Sequence, residues 1–273
     1  MGLRVNSNIA SINAQRNLVN STGELQKSLQ RLSSGLRITR AADDAAGLAI
    51  SEQFRADIRS IGQAQRNAND GISLLQVGEG ALNEVSSILI RQRELAIQAA
   101  NGTLGNEERE TLDNEFQDLV AEIDRIAAVT SFNGTNVLQG GGSTTFQIGV
   151  DATSNDRISI QSVDSRASAI GLDGDTISTV TQARAALSSL DSAISTVASL
   201  RASFGTVQNR LESSIRSLAV AQENTSAAES RIRDVDFASE TAELTRNQVL
   251  QQAGISVLAQ ANVSTQSALS LLG

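Results

Sequence analysis

The chain has 273 residues and a formal net charge of -8, from 22 lysines and arginines against 30 aspartates and glutamates. That sign argues against nucleic acid or an anionic membrane surface as the main partner, because both need concentrated cationic side chains. Histidine, cysteine, proline, tyrosine and tryptophan are absent, which removes the usual activator of a Ser or Thr nucleophile, thiolate metal ligands, a disulfide framework and the strongest helix breaker.

From the N-terminus, Met1–Asn8 lacks the apolar stretch of a signal peptide, and no run of 18 apolar residues occurs, so neither a cleaved leader nor a membrane insertion is expected. Lys27 is the only lysine, and nearly all basic charge is arginine. Over 5–34, Leu25, Leu29, Leu32 and Leu36 are spaced four, three and four apart, one face of a helix. Ser33, Ser34 and Gly35 then either break that helix or bend it.

The next segment, 43–100, carries Leu48, Phe54, Ile58, Ile61, Ile72, Leu75, Leu82, Leu89 and Leu95 at near-helical spacing, interrupted by Gly62, Gly71, Gly78 and Gly80. An unbroken helix of about 55 residues spans roughly 80 Å and must lie against other long helices to bury its stripe. Asp43 and Asp44 could be read as paired carboxylates for acid–base work or a cation. No His, Cys or Lys adjoins them in sequence, and capping the second segment is the simpler role.

Asn101–Asn106 reads as a turn, with Asn106 as a cap and Glu107 and Glu108 in the favourable first turn of a helix over 107–129. Leu112, Phe116, Leu119, Ile123 and Ile126 form its stripe, and Glu122 and Arg125 pair on its wet face. After Phe132-Asn133-Gly134 the period changes to two. Phe146, Ile148 and Val150 alternate over 145–150, and Ile158 and Ile160 over 157–162, with Asp151–Asp156 between them. This predicts one β-hairpin leaning on the helices. The Asp151–Asp156 turn lacks the central Gly and distal Glu of a calcium-binding loop.

Residues 164–176 read as loop. Helical spacing returns over 177–230 with Leu187, Leu190, Ile194, Val197, Phe204, Val207, Leu211 and Ile215, and Glu212–Arg216 and Glu229–Arg233 are spaced as i,i+4 pairs. A last amphipathic segment over 237–272 carries Leu244, Val249, Leu250, Ile255, Leu258, Val263, Leu269 and Leu272. The fold class is therefore mainly α: long antiparallel coiled helices in a rod-like bundle, with one small β-hairpin. The terminal stripes Leu25, Leu29, Leu32, Leu244, Leu258, Leu269 and Leu272 have no partner surface except each other. A helix pair still apolar on its outside buries that surface against copies of itself, and open repetition makes a filament.

Three blocks carry a resemblance. They are Leu32-Ser-Ser-Gly-Leu-Arg37 with Ala41–Ile50; Ala64–Ser73 with Glu79-Gly-Ala-Leu82, Arg91-Gln-Arg-Glu-Leu95 and Phe132-Asn-Gly134; and Gln208-Asn-Arg-Leu211 with Ala228–Asp234 and Leu258-Ala-Gln-Ala-Asn262. Over roughly 1–140 and 180–273 the chain resembles bacterial flagellin, in a minimal form with little or no outer domain. The resemblance implies paired terminal helices, 1–40 and 235–273, as a filament core. It implies a helical shell of 41–140 and 163–234, with 141–162 as its hairpin insert. It further implies a secreted structural subunit polymerising for swimming motility, not an enzyme, with no cofactor or metal.

Its implied partners are other copies of itself, the flagellar export apparatus, an export chaperone, the filament cap and the hook-filament junction proteins. In many flagellins, residues matching Arg91, Leu95 and Glu115 form a patch read by an animal Toll-like receptor and used in subunit packing. By residues alone, Leu95 is a stripe position, and Arg91 and Glu115 are helix-surface charges. Two rival readings are a hook-filament junction protein of the same architecture and a generic coiled-coil binding module.

Overall fold

The computed structural model describes the backbone of residues 7–270 and the side chains of residues 7–263. The described residues form α1 (Ile9–Ser34), α2 (Ala45–Ala99), α3 (Asn106–Val129), β1 (Ser131–Phe132), β2 (Thr135–Asn136), β3 (Ser143–Gln147), β4 (Arg157–Gln161), α4 (Ala167–Ile170), α5 (Val180–Arg233) and α6 (Phe237–Ser270). The mainly helical fold with packed long helices is as expected. The chain divides into two compact units: residues up to Ala56 together with those from Asn224 onward, and Asp57–Glu223.

In the second unit α2 and α5 run antiparallel and touch through glycines. A Cβ on Gly78 would sit 2.6 Å from Phe204 Cε2 and 2.9 Å from Val137 Cγ1, and one on Gly71 would sit 3.2 Å from Leu211 Cδ1. These glycines do not interrupt the helix. The small residue lets a Phe or Leu ring or branch press onto the backbone, and the i→i−4 ladder continues because no proline intervenes. Leu75, Leu82, Val85 and Leu89 of α2 and Leu190, Phe204 and Leu211 of α5 form the centre of the core, all at most 2% exposed. Phe116, Ile123 and Ala127 add the buried face of α3, seven and four residues apart as a helical stripe requires.

The hairpin β3–β4 pairs Phe146 with Ile158 and Thr144 with Ile160, burying Ile158 and Ile160 on the helical core. Val150 is 44% exposed, contrary to the alternation. The reason is local: the amides of both Ile148 (2.8 Å) and Gly149 (3.1 Å) donate to the single carbonyl of Asp156. Two residues therefore oppose one, and the alternation is lost beyond that point. A second, two-residue hairpin, β1–β2, was not expected from the sequence. Its turn is Asn133-Gly134, with φ of 50° and 77°, the left-handed pair that a tight hairpin turn needs.

Three other details correct the sequence expectations. Gly105, not Asn106, is the residue before α3, and the Asn106 Oδ1 accepts instead from Arg109 Nη1 at 3.3 Å. Arg233 turns from Glu229 to Glu52, at 2.8 Å, because the start of α2 lies within its reach. Glu212 accepts from Gln208 Nε2 and not from Arg216. The Glu122–Arg125 pair forms as expected, with two hydrogen bonds of 2.7 Å.

The segment expected as loop after the hairpin includes α4 and is strapped over α3. The Asp124 carboxylate accepts from Ala167 N at 2.8 Å, Asp113 from Ile177 N at 2.7 Å, and Gln117 Nε2 donates to the Asp175 carbonyl at 2.8 Å. Leu172 and Ile177 are thereby fully buried.

Candidate assembly surfaces

In the first unit α1 begins at Asn8, whose Oδ1 accepts from Ser11 N at 3.0 Å, and stops at Gly35 with φ of 71°. The Ser-Ser-Gly run is thus a break and not a bend, because Gly adopts the left-handed cap without a Cβ penalty. The chain then crosses to the end of α5. Arg37 N donates to the Arg233 carbonyl at 2.7 Å, Arg37 Nη2 to the Ile232 carbonyl at 2.6 Å, and Val235 N to the Gly35 carbonyl at 3.0 Å. Asp236 caps α6 by accepting from Ala238 N at 3.0 Å.

Asp43 and Asp44 also act on backbone. Asp43 Oδ2 accepts from Thr39 N, Thr39 Oγ1 and Arg40 N, and Asp44 Oδ1 from Gly47 N at 2.8 Å, which caps α2. Burial pushes the Asp43 carboxyl up, but the hydrogen bonds from Thr39 and Arg40 and the charge of Lys27 together hold it below its ordinary value. Lys27 Nζ lies 3.6 Å from it. Both carboxylates are thus occupied in shaping a turn and a helix start.

α1 and α6 run antiparallel. Asn8 Nδ2 donates to the Ala261 carbonyl at 2.9 Å, Ser11 Oγ to Asn262 Oδ1 at 3.1 Å, and Arg31 reaches Glu240 at 3.5 Å. Their mutual burial is shallow. Leu25, Leu32, Leu244 and Leu258 are half-buried, and Leu29 is 49% exposed. The Leu269 side chain and Leu272 lie outside the described residues.

Most of the large exposed apolar side chains among the described residues sit on these two helices, including Ile12, Val19, Val249, Ile255, Val257 and Val263. α6 is not the amphipathic helix expected from the sequence, since its apolar residues are spread around the helix rather than along one stripe. With no single stripe to bury, α6 leaves apolar side chains facing outward whichever side it turns to α1. A cleft of about 420 Å³ opens along the pair, lined by Leu18, Ser21, Leu250, Ala253, Gly254 and Val257.

The Arg91, Leu95 and Glu115 trio divides. Arg91 Nε and Nη2 donate to Glu115 Oε1 at 3.1 and 2.8 Å, and Nη1 to Glu94 at 3.1 Å, all at the surface of α2 and α3. The hydrogen bonds to Glu115 and then Glu94 raise the Arg91 pKa. Leu95 is 1% exposed and belongs to the core cluster. It is the stripe position that the residues alone suggested, and it faces the core; it does not share an exposed patch with the charged pair, as the resemblance had implied. Beside Arg91, Gln92 is fully buried and donates to the Phe116 carbonyl at 3.3 Å.

Arg109 was missed in the sequence reading. It is 6% exposed, and it closes the α2–α3 turn through the carbonyls of Ala99 (3.0 Å) and Asn101 (3.1 Å), the open end of α2. The only hint in the sequence was an arginine in the first turn of a helix, where a cation is otherwise unfavourable.

Residues 5–143 match the family model of the bacterial flagellin N-terminal helical region, and residues 187–272 that of the bacterial flagellin C-terminal helical region. The chain is 46% identical over 269 residues to a flagellin of Halalkalibacterium halodurans, covering 98% of this chain and 99% of that one. It is 42% identical over 307 residues to a flagellin of Bacillus subtilis, covering 99% and 100%. Among solved structures, Bacillus cereus flagellin is similar at a TM-score of 0.51 and 35% identity, over 56% of this chain and 88% of that one. A chain from Vibrio parahaemolyticus described as a flagellar hook-associated protein matches at a TM-score of 0.59 over 70% of this chain and all of that one; at 14% identity this shows the fold alone.

Proposed function

Because this chain belongs to the bacterial flagellin family and is a structural subunit of the flagellar filament, we propose that α1 and α6 are its assembly elements, paired as a filament core. The helices of 41–140 and 163–234 then form the surrounding shell, with 141–162 as the hairpin insert. The observation that carries this reading is the pair of helices that meet through few buried side chains and keep large apolar residues on their outer faces. Isolated, that surface is unfavourable in water; copies of the same chain cover it in a polymer.

The surfaces that drive assembly are apolar, and a net charge of -8 does not favour nucleic acid as the partner. The same reading makes the chain a mechanical and not a catalytic element. It also makes it a secreted one, threaded by the flagellar export apparatus with the help of an export chaperone, and folded at the filament cap beyond the hook-filament junction proteins. A chain without cysteine cannot form a disulfide that would block threading.

Deleting 237–273, or 1–33, tests the assembly role. Seeded polymerisation followed by light scattering loses all growth in either truncate, while circular dichroism still reports a cooperative melt of the helices of 57–223. Filaments growing from either truncate overturn the role, and a truncate without helix places these segments in the fold itself.

The Arg91–Glu115 pair is the second surface. Supported by Leu95 and presented at the junction of α2 and α3, it serves subunit packing, and the same patch is open to an animal Toll-like receptor in the free subunit. Reporter cells respond more to monomer than to filament under this reading. Equal silence toward a folded monomer removes the receptor and leaves packing.

A further inference from the structure

Asn-Gly occurs twice in the chain, at Asn101-Gly102 and Asn133-Gly134, and both pairs are exposed. This dipeptide is open to an intramolecular reaction, because glycine has no side chain to keep the asparagine amide away from the next main-chain nitrogen. That nitrogen adds to Cγ, the Cγ–Nδ2 bond breaks, and Nδ2 leaves with the glycine amide proton as ammonia. Water then opens the resulting succinimide at either carbonyl, giving aspartate or isoaspartate. The sequence ranks the two pairs equally; their surroundings do not.

Asn133 and Gly134 are held at φ of 50° and 77° between paired strands, Phe132 against Thr135 and Ser131 against Asn136. The left-handed conformation turns Cβ away from the following nitrogen, so ring closure there must first open the hairpin. Asn101 is placed differently. Its Oδ1 accepts from Thr103 N at 3.3 Å, which holds the side-chain carbonyl beside the following backbone. The Gly102 amide donates to no acceptor among the described residues, so the attacking nitrogen is uncommitted. As it adds to Cγ, negative charge develops on Oδ1, where the Thr103 N–H already points.

Arg109 governs the second step. It is 6% exposed, and the oxygens that accept from it, the carbonyls of Ala99, Asn101 and Gly105 and the Asn106 Oδ1, are all uncharged. A cation buried without a counter-charge is costly. Arg109 Nη2 donates at 3.1 Å to the Asn101 carbonyl, the group that becomes the α-carbonyl of the succinimide. That bond polarises the α-carbonyl toward water. Opening there leaves the main chain running through Cγ, which is isoaspartate, and frees the α-carboxylate against Arg109, where the hydrogen bond becomes charge-assisted on both sides.

We propose that Asn101-Gly102 is a site of spontaneous deamidation, and that the folded α2–α3 turn directs its product to isoaspartate, whose carboxylate supplies the counter-charge that Arg109 lacks. The test incubates the free full-length chain in mildly alkaline buffer, folded or unfolded in urea. Peptide mapping by mass spectrometry counts conversion at each asparagine, and an isoaspartate-specific carboxyl methyltransferase counts isoaspartate.

In urea both pairs convert at similar rates, because only the local sequence then acts. In the folded chain Asn101 converts about tenfold or more faster than Asn133, which waits for the hairpin to open. The isoaspartate share at 101 is higher folded than in urea. Gly102→Ala slows conversion at 101 and leaves 133 unchanged. Arg109→Gln returns the isoaspartate share to its value in urea, with slow conversion at Asn133 as the internal check that the unit is still folded. Folded chains in which Asn133 converts as fast as Asn101, or in which neither converts, overturn the site. An isoaspartate share at 101 no higher folded than in urea, or unmoved by Arg109→Gln, overturns the role of Arg109.

Discussion

Gly78 and Gly80 lie two residues apart in α2, and substituting each with alanine should move stability in opposite directions. In a helix interior, Gly→Ala is worth about 1 kcal/mol in favour of the folded state, from backbone entropy and helix propensity. At Gly80 nothing lies within 4 Å of the added Cβ, so the whole gain is realised. At Gly78 the added Cβ meets Phe204 Cε2 at 2.6 Å and Val137 Cγ1 at 2.9 Å. Neither neighbour can give way freely. Phe204 is 2% exposed and Val137 2% exposed, both enclosed by the core, so the helices must separate or the ring must leave its rotamer. Overpacking of that kind costs about 1–3 kcal/mol, which cancels the propensity gain and exceeds it. For a unit of this size, each kcal/mol shifts the melting temperature by roughly 2–4 °C. Thermal melts by circular dichroism should therefore place Gly80→Ala above the parent and Gly78→Ala below it. If Gly78→Ala melts at or above Gly80→Ala, the close approach of α5 to α2 at this level is refuted.

Leu95→Ala should destabilise the second unit by about 2–5 kcal/mol, the cost of a cavity at a buried leucine. Arg91→Ala should leave the same melt unmoved, because its ion pair is exposed. Arg109→Leu leaves the Ala99 and Asn101 carbonyls without their donor and should cost about 3 kcal/mol, with amide exchange accelerated first at the α2–α3 turn. The Asp43 carboxyl is held below its ordinary value of 3.8. Its contribution to the 39–47 turn is therefore complete above that pH and lost as the pH falls through the lowered folded value. Asp43→Asn should remove this acid-side slope from a pH series of melts, and an unchanged slope would refute the assignment.

Periodicity alone was enough to place the long helices, because apolar residues at 3.6-residue spacing and the absence of proline leave few alternatives. Segments expected at 43–100, 107–129 and 177–230 became Ala45–Ala99, Asn106–Val129 and Val180–Arg233. The main hairpin was legible from Phe146, Ile158 and Ile160, and the family was legible from the terminal blocks. The assembly surface was legible only in part. The leucines of the terminal segments were visible, but leucine spacing alone did not reveal that the apolar residues of α6 follow no single stripe, nor that among the described residues an asparagine would be its buried one.

What the sequence by itself determined about this protein is therefore mostly what depends on neighbours along the chain: helix, strand and the start of α2 at Asp44, whereas the stop at Gly35 stayed open between a break and a bend until the structure showed its left-handed cap. What the tertiary structure decided depends on residues far apart. Gly78 is a packing position only because Phe204 arrives there. Leu95 faces the core and Arg91 does not, because α3 and α5 cover one side of α2. Arg233 chose Glu52 over Glu229 because its end of α5 meets the start of α2. Local rules carry no information about which distant surface will compete for a side chain, and in each case that competition set the outcome.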